Sequence, residues 1–347
     1  MARIHLVYPV PPPAAGQTGP LAGLRYRAGA ALDRRRPSRY REGREFSRAL
    51  PAPTSITANL FKHLSERHRT LLYDWSEHGA IDIADSDILI GHPHPTHGKV
   101  FSTTMARMTR GRVVMMPLHH AMPQISAFAI EQLQSADLIL GLMGEHWYDT
   151  IDGTFLAPFK EKIVRLDMAI DATSYPFLRE RFNPPGRRGI LWVGANRPEK
   201  GVDLLSRIAA RSPGVPRGWI GPGASIPHIH HIAAHARLTP SYVRHLMERY
   251  DIFVNTSISD ANPTTVLEAM AWGFPLACTP GSGYQGVGSI ETLDPNDIEA
   301  CVATVARLQQ ADEGALQEAV AVNRRLVQEF YTWERFCLTV DGGLAQL

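Results

Sequence analysis

Apolar residues fall along this chain in short runs separated by stretches of helical spacing. Ile4–Tyr8, Leu71–Tyr73, Ile88–Ile90, Val113–Pro117 and Leu138–Leu140 read as strands, each too short for a buried helix. Between them, Ile56, Leu60 and Leu64 mark one face of a helix over about 55–68, which Thr54 or Ser55 can cap, and Gln124–Gln134 has the same texture. Strands alternating with helices imply parallel βαβ units and a doubly wound sheet. Segment 25–50 fits no such unit and reads as an insertion after the first strand.

The texture changes after Asp171. Residues 172–189, with Pro176, Pro184, Pro185, Gly186 and Gly189, read as a linker. The alternation then restarts: strand Ile190–Gly194, helix 199–211, strand Trp219–Ile220, helix 240–249, strand Ile252–Asn255, helix 264–272. The tail, about 297–309 and 313–343, is helical, with a bend at Tyr331-Thr332-Trp333. The expectation is an α/β chain of two doubly wound domains, 1–171 and 190–330, with a terminal helix over 331–347.

One stretch carries most of the chemistry. Ser259 to Pro275 sets Asp260 and Glu268 eight residues apart across the start of a short helix. Asn262 is placed to cap that helix, Pro263 suits its first turn, and Gly273 followed by Pro275 can end it. A helix start has unpaired N–H groups and about half a positive charge, which suits a phosphate. Glu268 falls just over a turn inside and Asp260 in the loop before it, so one acid can serve a ribose and the other a sugar beyond a diphosphate. Upstream, Ile190–Gly201 reads strand, glycine turn, then Lys200 at the next helix start, which brings a cation toward the same phosphate. A solvated helix-start lysine is the plainer reading of Lys200 taken alone.

An acid, seven residues, then Glu-Ala-Met-Ala-x-Gly-x-Pro resembles the donor-site signature of retaining glycosyltransferases of the GT-B fold, the glycosyl transferases group 1 type. The resemblance is closest over residues 190–280. It implies two Rossmann-like domains facing a cleft, a terminal helix crossing back to the first domain, and a hexosyltransferase that retains anomeric configuration without a metal. The family has Glu where this chain has Asp260, one methylene shorter. Its lysine matches Lys200, but its arginine position holds Ala195, so Arg197 two residues on is the candidate replacement. The resemblance further implies that Glu268 accepts the ribose hydroxyls, that Asp260 holds the sugar, and that Pro263, Thr264 and Thr265 border the diphosphate. On the first domain it matches Gly16 and Gly19 to a glycine loop, and a strand-end histidine to His119 or His120, spacing favouring His119. No enzyme nucleophile and no cofactor are then expected; the nucleotide-sugar is a substrate.

Other histidines invite a metal reading. In Gly91–His97, His92, His94 and His97 are spaced by prolines that prevent helical presentation, and no acid or cysteine completes a set nearby. A strand-end loop at the cleft mouth fits better. His231 and His235 can share a helical face, but a His-Glu-x-x-His pattern is missing. No metal site is expected.

Composition narrows the partners. Net charge is +2, from 36 basic and 34 acidic residues, which gives no global field for nucleic acid. Residues 25–48 nevertheless hold nine Arg against Asp33, Glu42 and Glu45, a local +6. Such an arm suits an anionic or lipid-linked saccharide acceptor, or an acidic lipid surface at ~1 kcal/mol per basic residue, and equally a solvated loop. Cys278, Cys301 and Cys337 are scattered, as in a reducing compartment. No apolar run approaches the ~20 residues of a membrane span, so the expected location is cytoplasmic, with peripheral contact at the inner face of a membrane. Two rivals share the architecture: a non-catalytic nucleotide-binding GT-B protein, and a nucleotide-sugar epimerase, which needs an acid/base pair that this sequence does not display.

Overall fold

The structure is a computed structural model and describes residues 3–11, 39–40, 46, 50, 52–121, 123–212 and 214–347. Its first sheet runs β2-β3-β1-β4-β5-β6-β7, from β1 (Arg3–Tyr8), β2 (Arg39–Tyr40), β3 (Arg69–Asp74), β4 (Ile88–Gly91), β5 (Arg112–Pro117), β6 (Leu138–Leu142) and β7 (Ile163–Leu166). All pairings are parallel except that of the two-residue β2 with β3. Parallel strands covered on both faces must be apolar throughout. Leu138–Leu142 is buried at every position, and so is Ile4–Tyr8.

Among the described residues, four helices follow strands of this sheet or precede them: α1 (Thr54–Arg67), α2 (Lys99–Met105), α3 (Pro123–Ser135) and α4 (Gly144–Asp149). On α1, Ile56, Leu60, Phe61 and Leu64 are buried against the sheet, each contributing roughly 1.5–3 kcal/mol.

The second sheet has the order β10-β9-β8-β11-β12-β13, built from β8 (Gly189–Val193), β9 (Arg217–Ile220), β10 (His230–Ala233), β11 (Tyr250–Asn255), β12 (Leu276–Cys278) and β13 (Ile290–Thr292). All its pairings are parallel. Helices α5 (Val202–Ala210), α6 (Pro240–Met247), α7 (Thr264–Trp272) and α8 (Ile298–Gln310) follow β8, β10, β11 and β13, and α9 (Glu313–Glu329) follows α8. Chain order reverses between β8 and β11, the point where ligands of such sheets bind, at the carboxyl ends of the strands. In the first sheet the reversal falls between β1 and β4.

Segment 172–189 carries the chain between the sheets but is not loose. Arg179 is buried against the Asp251 carboxylate at 3.3 Å, between the rings of Phe182 and Phe274. Arg188, also buried, donates to the Asn183, Leu308 and Ala311 carbonyls. A guanidinium removed from water requires such acceptors, so prolines and glycines here shape an anchored strap.

The last helix, α10 (Trp333–Leu344), returns to the first sheet. A Cβ on its Gly343 would lie 3.3–3.5 Å from Leu138, Leu140 and Val164, and Asp341 pairs with His63 and Arg67 of α1. A covalent return of this kind limits how the two halves can move apart. Among the described residues no helix is long and apolar enough to cross a membrane.

Candidate active site

Two turns meet at the switch point of the second sheet. β8 ends into a 3-10 turn, Pro198–Lys200, and β11 ends into the loop 256–263. Gly201 makes the meeting possible. Its φ is +65°, and a side chain there would run into the Thr256 carbonyl. The two turns are then stitched together: Ile258 and Ser259 donate backbone N–H groups to the Glu199 carbonyl at 3.0 and 3.3 Å, and the Thr256 hydroxyl donates to the Lys200 carbonyl. Lys200 Nζ pairs with Asp260 Oδ2, which also accepts from the Ser257 hydroxyl at 3.4 Å. The motif halves that the sequence separates by 60 residues are one ion pair here.

Lys200 lies in the 3-10 turn, ahead of the helix, because Gly201 in the left-handed region interrupts the helix expected over 199–211. Arg197 is not drawn in. It is 69% exposed, with Nη1 3.8 Å from Glu199, while its neighbour Asn196 is tied to the Pro222 and Ala224 carbonyls. Its guanidinium lies beside Glu199, whereas Lys200 is the cation paired with Asp260.

α7 spans Thr264–Trp272, as expected, and Gly273 at φ +95° ends it. Its start differs from the expectation. Asn262 does not cap it; Pro263 occupies the cap position and makes no side-chain cap hydrogen bond. Asn262 instead has φ +60° and accepts the Met168 N–H at 2.6 Å, so the first domain takes the side chain that a local reading gives to the helix. Thr264 and Thr265 therefore present an uncapped helix start beside Lys200 and Asp260.

Glu268 sits one turn inside α7. It lines an apolar crevice with Thr265, Leu238, Val243 and Phe274, and accepts from the Tyr175 hydroxyl at 3.4 Å. Burial pushes its carboxyl up to about 7, only partly offset by that hydrogen bond.

The first domain closes over this loop from the other side. Trp147 of α4 donates its indole N–H to the Asp260 carbonyl at 2.8 Å. His119, following β5, is 2% exposed and packs 5.0 Å from the Trp147 ring. Burial, then His120 and Lys200, push its imidazole down to about 4, so it is neutral near pH 7. His120 is instead held by Thr150 at 2.8 Å. Asp260, Lys200 and His119 thus converge across the domain boundary, at the loop that leads through Pro263 into Thr264 and Thr265. Gly16 and Gly19 lie outside the described residues, as does most of the Arg-rich segment.

At the first-domain switch point Trp75 lies 4.8–5.8 Å from the rings of His92, His94 and His97. Among the described residues no group of three or more His, Cys, Asp or Glu is arranged to hold a metal. His231 belongs to β10 and stacks on Trp219 at 4.2 Å, so it shares no helical face with His235 and is a packed histidine. Sequence reasoning missed Trp147 and Tyr175, whose roles depend on chain segments far from the motif.

Residues 187–311 match the model of the family Glycosyl transferases group 1. No curated protein matches by sequence. Among solved structures, sucrose-phosphate synthase from Thermosynechococcus elongatus is similar over 100% of this chain and 99% of its own, at TM-score 0.60 and 14% identity. TarM is similar over 75% of this chain and 55% of its own, at TM-score 0.57 and 16% identity. The pneumococcal O-GlcNAc transferase GtfA, solved with UDP and GlcNAc, is similar over 76% and 57%, at 0.54 and 15%. The chain thus spans little more than half of TarM and GtfA, and identities this low show the fold alone. Family match and fold point the same way: residues 187–311 are similar to the glycosyl transferases group 1, and the two facing Rossmann-like halves have the GT-B fold.

Proposed function

We propose that the protein is a glycosyltransferase, moving a hexosyl group from a UDP- or GDP-sugar to an acceptor bound on the first domain, with retention and without a divalent metal. The observation that carries this reading is the meeting of Lys200 and Asp260 beside the uncapped start of α7, at the switch point of the second sheet and opposite His119. Breaking a sugar–phosphate bond puts negative charge on the departing diphosphate. The N–H groups at Thr264 and Thr265 stabilise that charge from fixed positions, and the Lys200 ammonium joins them on leaving Asp260. Glu268, as a carboxylate, accepts the ribose hydroxyls. Asp260 orients the sugar once Lys200 turns to the phosphate, and neutral His119 exchanges a hydrogen bond with the sugar. UDP is the first nucleotide to try, since GtfA is solved with it.

The acceptor attacks from the leaving-group face, and a phosphate oxygen takes its proton, so no enzyme nucleophile is assigned. The Trp75 and histidine rings at the first-domain switch point offer an acceptor ring a flat apolar contact. Incubation with UDP- and GDP-sugars, with and without magnesium, and quantification of free nucleotide tests the reading. Release that Lys200→Ala abolishes supports it; no release from any donor argues against transfer.

A second reading, nucleotide binding without transfer, is favoured by Ala195, by the exposed Arg197 and by the closed Lys200–Asp260 pair. Tight UDP binding with no turnover over a broad acceptor panel selects it.

A further inference from the structure

The second sheet has another cavity at its opposite edge. Its volume is about 390 Å³, and Arg217, His228, His230, Arg249 and Tyr250 line it. β9, β10 and β11 begin at or beside these residues, whereas the candidate active site lies at the strands' carboxyl ends. A strand of about five residues separates the two edges by ~17 Å.

The charge here is one-sided. Among the described residues, two guanidiniums and two imidazoles line the hollow and no carboxylate does. The adjacent acids are engaged elsewhere: Asp251 with Arg179, and Glu248 with His245. Arg217 is held in place, because Nη1 donates to the Ala209 and Ser212 carbonyls at 2.7 and 3.1 Å, at the end of α5. A guanidinium has five donors in a rigid fork, so others remain for an external acceptor. The Tyr250 ring occupies space over Gly218, where a Cβ would come within 2.5 Å of it, and the Arg249 guanidinium lies 6.0 Å from the ring centroid. His228 at the rim has φ +65°, a left-handed conformation costly for a residue with a Cβ.

We infer that this cavity binds a phosphate monoester carried on a small molecule, a sugar phosphate or a nucleoside monophosphate, at a site separate from the interdomain cleft. The fixed Arg217 guanidinium can match phosphate oxygens in pairs, the exposed Arg249 can swing in beside it, and the volume falls in the range of small-ligand pockets. The concavity favours a soluble ligand over a lipid headgroup. None of this depends on transferase activity, so the inference stands or falls independently of the proposed function.

Calorimetric titration with glucose 6-phosphate and with AMP tests it, comparing wild type with an Arg249→Glu, His230→Glu double variant. Both side chains are exposed, whereas Arg217 stays because it caps α5. Circular dichroism and thermal melting verify that the double variant is folded. We expect saturable binding of at least one ligand to the wild type and at least a tenfold loss in the double variant. Co-sedimentation with vesicles containing phosphatidic acid forms the second arm. Sedimentation lost in the double variant, with no soluble ligand bound, moves the phosphate to a lipid and overturns the small-molecule assignment. Failure of every probe to bind the wild type, or binding that survives the double variant, overturns the site itself.

Discussion

Donor binding should be linked to pH through Glu268. Burial raises this carboxyl to about 7, yet accepting two ribose hydroxyls calls for the ionised form. A group of pKa near 7 is about one-eleventh ionised at pH 6 and about nine-tenths ionised at pH 8, so affinity for a nucleotide-sugar should rise about tenfold between them. His119, held near 4, stays neutral throughout this window and does not contribute. The apo protein shows the opposite trend. A carboxyl whose folded pKa lies above its unfolded value of 4.5 stabilises the fold most below that value, and the contribution is lost as pH rises through about 7. The full cost of ionisation is roughly 3 kcal/mol before screening. Glu268→Gln should therefore raise Tm at pH 8 and leave it nearly unchanged at pH 4.5. The assay is calorimetry with a UDP-sugar, chosen because UDP itself carries a terminal phosphate with pKa about 6. Buffers of different ionisation enthalpy count the proton released, close to one at pH 6 and close to none at pH 8. An affinity flat across the range in wild type, or an unchanged slope in Glu268→Gln, refutes the reasoning.

Three substitutions probe the surrounding geometry. Lys200→Ala should lower turnover about 10²–10³-fold, as loss of a fixed charge-stabilising donor does, with little effect on Tm; an equal kcat excludes a role in the transition state. Gly201→Ala puts a methyl into the Thr256 carbonyl at a left-handed φ. It should lower Tm by an amount corresponding to about 1–3 kcal/mol and reduce kcat/KM together with it; an unchanged Tm contradicts the packing described. Trp147→Phe keeps an aromatic ring beside His119 but removes the N–H donated to Asp260. We expect a loss of about 1 kcal/mol in thermal stability and a raised KM for the donor, and no change in either would leave that hydrogen bond without a role.

The sequence disclosed the elements whose signals are local. α7 was readable because Pro263 and Gly273 bracket an apolar stretch, and the central strands because strands covered on both faces must be apolar throughout. Short elements were not. β12 and β13 have three residues each, and β10 begins with His230 and His231, which carry no strand signature. α4 is six residues long and holds Trp147, whose contact with Asp260 spans 113 positions. Asn262 shows the limit most clearly. An asparagine before a helix is ordinarily a cap, but here a backbone N–H from the first domain competes for the same side-chain oxygen and wins. Local chemistry and the family resemblance pointed to Lys200, Asp260 and His119; only the packing of two domains decided their partners.

The central claim is that a diphosphate rests at the start of α7 against Lys200. A crystal structure with an intact or non-hydrolysable nucleotide-sugar tests it most directly. The account requires diphosphate oxygens at hydrogen-bonding distance, about 3 Å, from the Thr264 and Thr265 N–H groups and from Lys200 Nζ, with Asp260 released from the lysine and the ribose against Glu268. A nucleotide seated on the first domain, or a diphosphate distant from α7 while Lys200 remains paired with Asp260, contradicts it.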